Sequence, residues 1–295
     1  MKNFWLLSLL SLGCWSGLLL QAWAPIHEVE VSSAIAQAPT TPPEVRFTTQ
    51  ANRHSNVYIL QIPANSGFQV VPALSPQLET VEEFAQKTSA IAVLNGGFFD
   101  PLNQKTTSYI VRQGELIADP QANERLMENP NLAPYLDRIL NRSEFRRLVC
   151  AGTVRYAIAN PRQPPPPGCQ IVDALGGGPR LLPEMTLREE GFLETENGQI
   201  VRDPLGIDRA NARTAIGLTP NGDILWVMVA QKPDSSEPSG MSLIELAQLM
   251  RSLGAETALN LDGGSSSALY YRGQVFYGRG VPRPVHSVLL LQPEN

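Results

Sequence analysis

The sequence predicts an α+β domain: a mixed β-sheet core with a few packed helices and one helical insertion. Three observations carry that prediction. Short apolar runs bounded by turn residues recur from Val45 to the C-terminus, as strands do. Two starts with capping-box spacing, Thr80-Val81-Glu82-Glu83 and Ser242-Leu243-Ile244-Glu245, place helices among them. A 295-residue chain that is 43% hydrophobic and 17% charged holds enough apolar material for one large core or two small ones.

The N-terminus stands apart. Lys2 precedes an almost unbroken apolar run from Phe4 to Leu20, and small residues follow at Ala22-Trp23-Ala24 and Ala34-Ile35-Ala36. That order reads residues 1–36 as an export signal, which implies a periplasmic or extracellular protein. The alternative is retention as a membrane anchor through residues 4–24, and membrane contact is expected only in that case. Cys14 lies inside the apolar run and reads as an apolar cysteine. Loss of residues 1–36 removes Lys2, Glu28 and Glu30 and leaves 22 basic against 26 acidic side chains, which offers nucleic acid no electrostatic footprint. Cys150 and Cys169 remain. In an exported protein a lone pair predicts a disulfide, worth roughly 3 kcal/mol by restricting the unfolded chain.

Residues 37–44 form a Pro-rich tether with nothing to bury. The domain then runs from 45 to 295. Strands are expected in "NVYILQIP", "GFQVVPAL", "AIAVLNGG" and "SYIVRQGELI", and the first capping box opens a short helix through Gln86. Residues 119–149 are polar, with Leu126, Leu132, Leu136, Ile139 and Leu140 at loosely helical spacing, and read as a helical insertion, either a lid or a plain surface excursion. "GTVRYAIA" is a strand and "PRQPPPPG" a stiff polyproline connector. "TAIGLTPNGDILWVMVA" is a hairpin turning at Pro220-Asn221-Gly222-Asp223. The second capping box opens a helix with Leu243, Leu246, Ala247 and Met250 on one face, stopped by Gly254. "ETALNLD", "ALYYRGQVFY" and "VHSVLLLQ" complete the strands. One echo is visible: "TVEEFAQ…AVLNGG" and "SLIELAQ…LNLDGG" share the order capped helix, strand, polar residue, Gly-Gly, which would bring the two strand ends together in a shared sheet.

Chemistry concentrates at strand ends. Gly96-Gly97, Gly176-Gly177-Gly178 and Gly263-Gly264 could turn bare N–H groups toward an anion, and each lies beside a polar side chain: Asn95, Arg180 and Asp262. Arg213, just before an apolar strand, is either a solvated cap or a bidentate clamp for phosphate or carboxylate. Gly264-Ser265-Ser266-Ser267 approximates a nucleophile elbow. That motif needs a helix after the turn, and here a strand follows, with no acid between Ser267 and His286. The other histidines, His27 and His54, lack His or Cys partners at zinc spacing. Asp262, Asn260 and Asp100 offer oxygens to a Ca or Mg ion, but the spacing does not support such a site, so no cofactor is expected.

In this order, "AVLNGGFFD", "DALGGGPRLL", "RTAIGLTPNGDILWVMV" and "GMSLIELAQLMRSLGAETALNLDGGSSSALYYRG" resemble the phosphodiester glycosidase family, from residue 45 to residue 292. The pattern departs at Ser265, where the family usually has a third glycine, so that Ser266 matches the family serine. It departs again in the loop 231–240. The resemblance implies a glycosidase that frees a sugar from a sugar-phosphate diester or envelope polysaccharide. It implies Asp262 as key carboxylate, Asn95 and Arg213 beside it, and Gly96, Gly97, Gly177, Gly178, Arg180, Gly263, Gly264 and Ser266 around the substrate. A noncatalytic protein for envelope glycan binding or polysaccharide assembly on the same fold is the alternative.

Overall fold

Alternation along the strands decides the layering. The computed structural model describes residues 43–232 and 237–294. The expected export signal (1–36) and most of the tether (37–44) lie outside the described residues, as does part of the loop 231–240. In strand Ile224–Gln231, the side chains of Ile224, Trp226, Met228 and Ala230 enter one apolar cluster. The intervening Leu225, Val227 and Val229 enter another. Strand Ala92–Asn95 does the same, with Ala92 and Leu94 inward and Val93 outward. The period of two therefore makes both sheets two-sided.

The first sheet has six strands in the order Arg46–Ala51, Ser55–Ile62, Ile224–Gln231, Arg213–Leu218, Thr257–Asn260, Arg180–Leu182. The second has five: Gln274–Tyr277, Ala268–Tyr271, Ala92–Asn95, Val285–Pro293, Phe68–Glu79. Their inner faces share the central core around Leu60, Trp226, Leu94 and Leu289. Helix Leu243–Ser252 covers the outer face of the first sheet with Leu243, Leu246, Ala247 and Met250. Helix Val81–Lys87 covers the second with Val81, Phe84 and Ala85. Both helices carry the full reciprocal capping box, from Ser242 and Thr80 respectively, and Gly254 turns the chain out of the longer one at φ +90°. The expected α+β arrangement is weighted toward strands, and every pairing among the described strands is antiparallel.

A third sheet, Glu115–Ala118, Ile110–Arg112, Cys169–Gly176, Glu144–Cys150, Thr153–Ala159, adds Ile110, Phe145 and Leu175 to the central core. It corrects the expected insertion of 119–149. Four short helical segments, Pro120–Ala122, Glu124–Met127, Ala133–Tyr135 and Leu136–Ile139, occupy its first part, but residues 144–150 form a strand between two others. Its arginines hid it. Arg146 is 2% exposed because its guanidinium bonds Glu144 and the carbonyls of Gln163 and Asn160, so a charged residue occupies a buried strand position. The paired ends of Glu144–Cys150 and Cys169–Gly176 carry the Cys150–Cys169 disulfide, with the 153–159 strand and the polyproline connector inside its loop. No helix among the described residues is long and apolar enough to cross a membrane.

Replacing Cys150 and Cys169 together by serine should lower unfolding stability by about 2–4 kcal/mol, read as a shift of the urea midpoint.

Candidate active site

The echoed helix–strand units end at one place, but from different sheets. Strand Ala92–Asn95 belongs to the second sheet and Thr257–Asn260 to the first, so the expected shared sheet is replaced by a junction between sheets. There Asp262 N–H donates to the carbonyl of Gly96 at 3.1 Å. The Asn95 side chain is fully buried. Its Nδ2 donates to the Asp262 carbonyl at 2.7 Å, while its Oδ1 accepts from Thr214 Oγ1 at 2.8 Å and from Ala268 N at 3.1 Å. Asn95 therefore shapes the turn that carries Asp262, and its expected place beside the reacting atoms gives way to a positioning one.

The glycines also act otherwise than expected. Gly96 and Gly97 donate to Ser287, Gly176 to the Tyr109 carbonyl, Gly177 to that of Ser143, and Gly178 to that of Asn260. Gly263 donates to the Asp262 carboxylate and Gly264 to the Ala212 carbonyl. With these N–H groups spent inside the protein, the clusters do not form an anion nest. What they supply is closeness: a Cβ at Gly97 would collide with the Gly176 carbonyl, and one at Gly177 would stand 2.7 Å from that of Asn260.

Arg213 is 3% exposed and spent as well. It donates from Nε to the Met241 carbonyl, from Nη1 to that of Leu205, and from Nη2 to those of Gly206 and Arg209. Burial pulls its pKa down to about 10, so it stays charged at neutral pH while gathering four carbonyls. A phosphate clamp would need an exposed pair of free N–H groups, and Arg213 is buried with four of its five given to carbonyls. Arg180 forms no ion pair among the described residues, and its Nε is buried without a partner. Beside its backbone lies Glu190, 3% exposed, whose Oε1 accepts from Ser143 and Thr186 and whose Oε2 has no partner.

Asp262, Gly263 and Ser266 are the expected residues that line an open site. A cleft of about 410 Å³ has Asp262, Gly263, Ser265 and Ser266 on its floor, and Leu78, Phe99, Pro101, Arg283 and Pro284 around it. Burial pushes the Asp262 carboxyl up to about 6, against the Ser266 hydroxyl and the Gly263 N–H, which favour the carboxylate. The turn beyond it, Gly264–Ser266, has Gly264 at φ +63° and leads into strand Ala268–Tyr271, so no helix follows the serines. Two neighbours were not anticipated. Arg283 is exposed on the cleft wall and makes no ion pair among the described residues. His286 lies with its ring 6.4 Å from that of Phe99, its Nδ1 buried without a partner, and burial lowers its pKa. "RPVH" holds one arginine among prolines and gave no periodic or motif signal of its own. Among the described residues no group of three or more His, Cys, Asp or Glu side chains is arranged to hold a metal ion.

The phosphodiester glycosidase pattern matches residues 88–292, well over half of the chain. The chain belongs to the phosphodiester glycosidase family. Among curated protein sequences no match was found. Solved structures share the fold at 18% identity. The catalytic domain of zebrafish N-acetylglucosamine-1-phosphodiester α-N-acetylglucosaminidase, auto-inhibited by its pro-peptide, superposes with a TM-score of 0.60 over 88% of this chain and 85% of that one. A hypothetical protein from Synechocystis gives 0.57 over 85% and 61%, and a protein described as exported from Burkholderia pseudomallei gives 0.55 over 81% and 74%. This family member thus shares its fold with the catalytic domain of the zebrafish enzyme.

Two stability measurements test these assignments. Arg213→Ala leaves four carbonyls without their buried donor and should cost about 3–5 kcal/mol in denaturant unfolding. Asp262 has a folded pKa above its unfolded value, so the folded state holds that proton more tightly. The stability penalty of ionising it is absent below the unfolded value near 4, grows as pH rises, and is fully present above about 6. Asp262→Asn should therefore raise the thermal midpoint by a few degrees at pH 7.5 and leave it little changed at pH 3.5.

Proposed function

We propose that this family member hydrolyses the glycosidic bond of a sugar-phosphate diester, releasing free sugar and a phosphomonoester. The observation that carries the reading is the pairing, in one cleft, of a single carboxylate, Asp262, with an exposed arginine, Arg283, that forms no ion pair among the described residues. Water adds across the bond between the anomeric carbon and its oxygen. The sugar gains the hydroxyl, and the phosphate keeps the bridging oxygen.

A phosphomonoester is a stable anion and leaves without strong help from an acid, so one carboxylate in the cleft suffices. Ionised Asp262 faces the positive charge that builds on the sugar ring as the bond breaks, as nucleophile, base or electrostatic stabiliser. Ser266 holds that carboxylate by its hydroxyl, and Asn95 holds the turn beneath it. Arg283 takes the anionic phosphodiester, the part first assigned to Arg213. The zebrafish enzyme makes an N-acetylglucosamine-1-phosphodiester the first substrate to try. The Cys150–Cys169 disulfide and the apolar segment Phe4 to Leu20 favour action outside the cytoplasm.

Product analysis after incubation with a chromogenic sugar phosphodiester tests the reading: free sugar is expected, and sugar phosphate would mark a phosphodiesterase instead. Asp262→Asn should lower turnover at least a hundredfold in folded protein. With Asp262 needed as carboxylate, kcat/KM should climb through about pH 6 and level off above it. Arg283→Ala should raise KM for the charged diester about tenfold and leave a neutral aryl glycoside unaffected.

A further inference from the structure

A cavity larger than the Asp262 cleft belongs to neither that cleft nor the strand-end junction. It measures about 590 Å³, within the range of small-molecule sites, and shares no residue with the Asp262 cleft. The third sheet forms one side, with Val111, Leu116 and Ile171, and Leu140 and Gln121 come from the region between its strands. This gives the region 119–142 a wall to build.

Its polar groups are specific in what they leave free. The Glu144 side chain is 6% exposed, and its Oε1 accepts from Arg146 Nε at 2.7 Å. Its Oε2 accepts nothing from the described residues, yet Glu144 lines the cavity. Tyr109 accepts from Gln121 Nε2 at 3.1 Å, which leaves its own O–H to donate. The charges are already matched: Arg146 is held by Glu144 and two carbonyls, and Arg162 is paired with Asp137. The cavity thus presents one strong acceptor, one hydroxyl donor, an amide and apolar walls, with no net charge to spare.

We propose that this cavity is a second binding site, for an uncharged saccharide unit. A phosphate has no unpaired cation to meet. A hydrocarbon chain would cover Glu144 Oε2 without a hydrogen bond, which is costly. An amine would compete with Arg146 for a carboxylate that is already neutralised. A sugar ring satisfies each group, donating a hydroxyl to Glu144, accepting from Tyr109, and laying its C–H face on Val111, Leu116 and Ile171. The proposal does not depend on Asp262 chemistry.

The test titrates the intact chain carrying Asp262→Asn, which halts turnover, with cellobiose, maltose, lactose, N,N′-diacetylchitobiose and their tetrasaccharides. Binding is read by calorimetry and saturation-transfer NMR. At least one saccharide should bind. Tyr109→Phe should weaken it about three- to tenfold through loss of one hydrogen bond. Leu116→Arg, at a rim residue 53% exposed and so harmless to the fold, should abolish it. In the Asp262 background both variants should cleave the phosphodiester normally. Saccharides that fail to saturate at tens of millimolar, or binding that survives Leu116→Arg, would overturn the proposal, as would decanoate binding there in their place. Cleavage by Asp262→Asn at the rate of the unaltered protein would instead defeat the catalytic reading and leave this one standing.

Discussion

The amide of Asn95 is the interaction on which the rest of the site depends. It lies in the second sheet, accepts from Thr214 in the first, accepts from the strand that follows the Asp262 turn, and donates to the turn itself. Three hydrogen bonds to a wholly buried side chain join two sheets at the point where their strands end. In that setting no solvent competes for the partners, and losing any one of them strands the others. The turn is consequently fixed from below, and its carboxylate is held up into the cleft.

Close backbone approach completes the same construction. Gly97 and Gly177 let main chains from different sheets meet, at the carbonyls of Gly176 and Asn260, where a Cβ would intrude. Buried arginines do related work. Arg213 and Arg146 each collect main-chain carbonyls that the sheets leave over, so their charge is used to satisfy backbone rather than to face a ligand. In the Asp262 cleft the cation open to a substrate is the exposed Arg283.

The consequence for function is a division between a rigid floor and a more open wall. Asp262, Gly263 and Ser266 rest on the junction of the sheets, while Arg283 and Pro284 come from the segment just before the last strand, Val285–Pro293. A carboxylate kept near neutral pKa by burial, beside a solvated guanidinium, suits a reaction whose leaving group is charged and whose sugar becomes transiently positive. The separate cavity above the third sheet would add affinity for a longer glycan without touching that chemistry.

Local signals made the secondary structure and the family legible in the sequence. Both capping boxes, the hairpin at Pro220-Asn221-Gly222-Asp223, the apolar face of Leu243–Ser252 and the Asp262 turn are encoded within a few consecutive residues. The strand Glu144–Cys150 was hidden because its arginines look solvent-facing until their distant carbonyl partners are known. The roles of Asn95, Arg213 and Arg283 were beyond the sequence for the same reason. Thr214 meets Asn95 across 119 residues and Ala268 across 173, and an amide, a guanidinium or a glycine N–H carries no mark of whether its partner is protein or ligand. The sequence by itself determined most of the strands and both capped helices, which family they compose and where the carboxylate turn falls. Only the tertiary structure decided which polar groups remain free, because hydrogen-bond partners are chosen by the packing of sheets and not by neighbours along the chain.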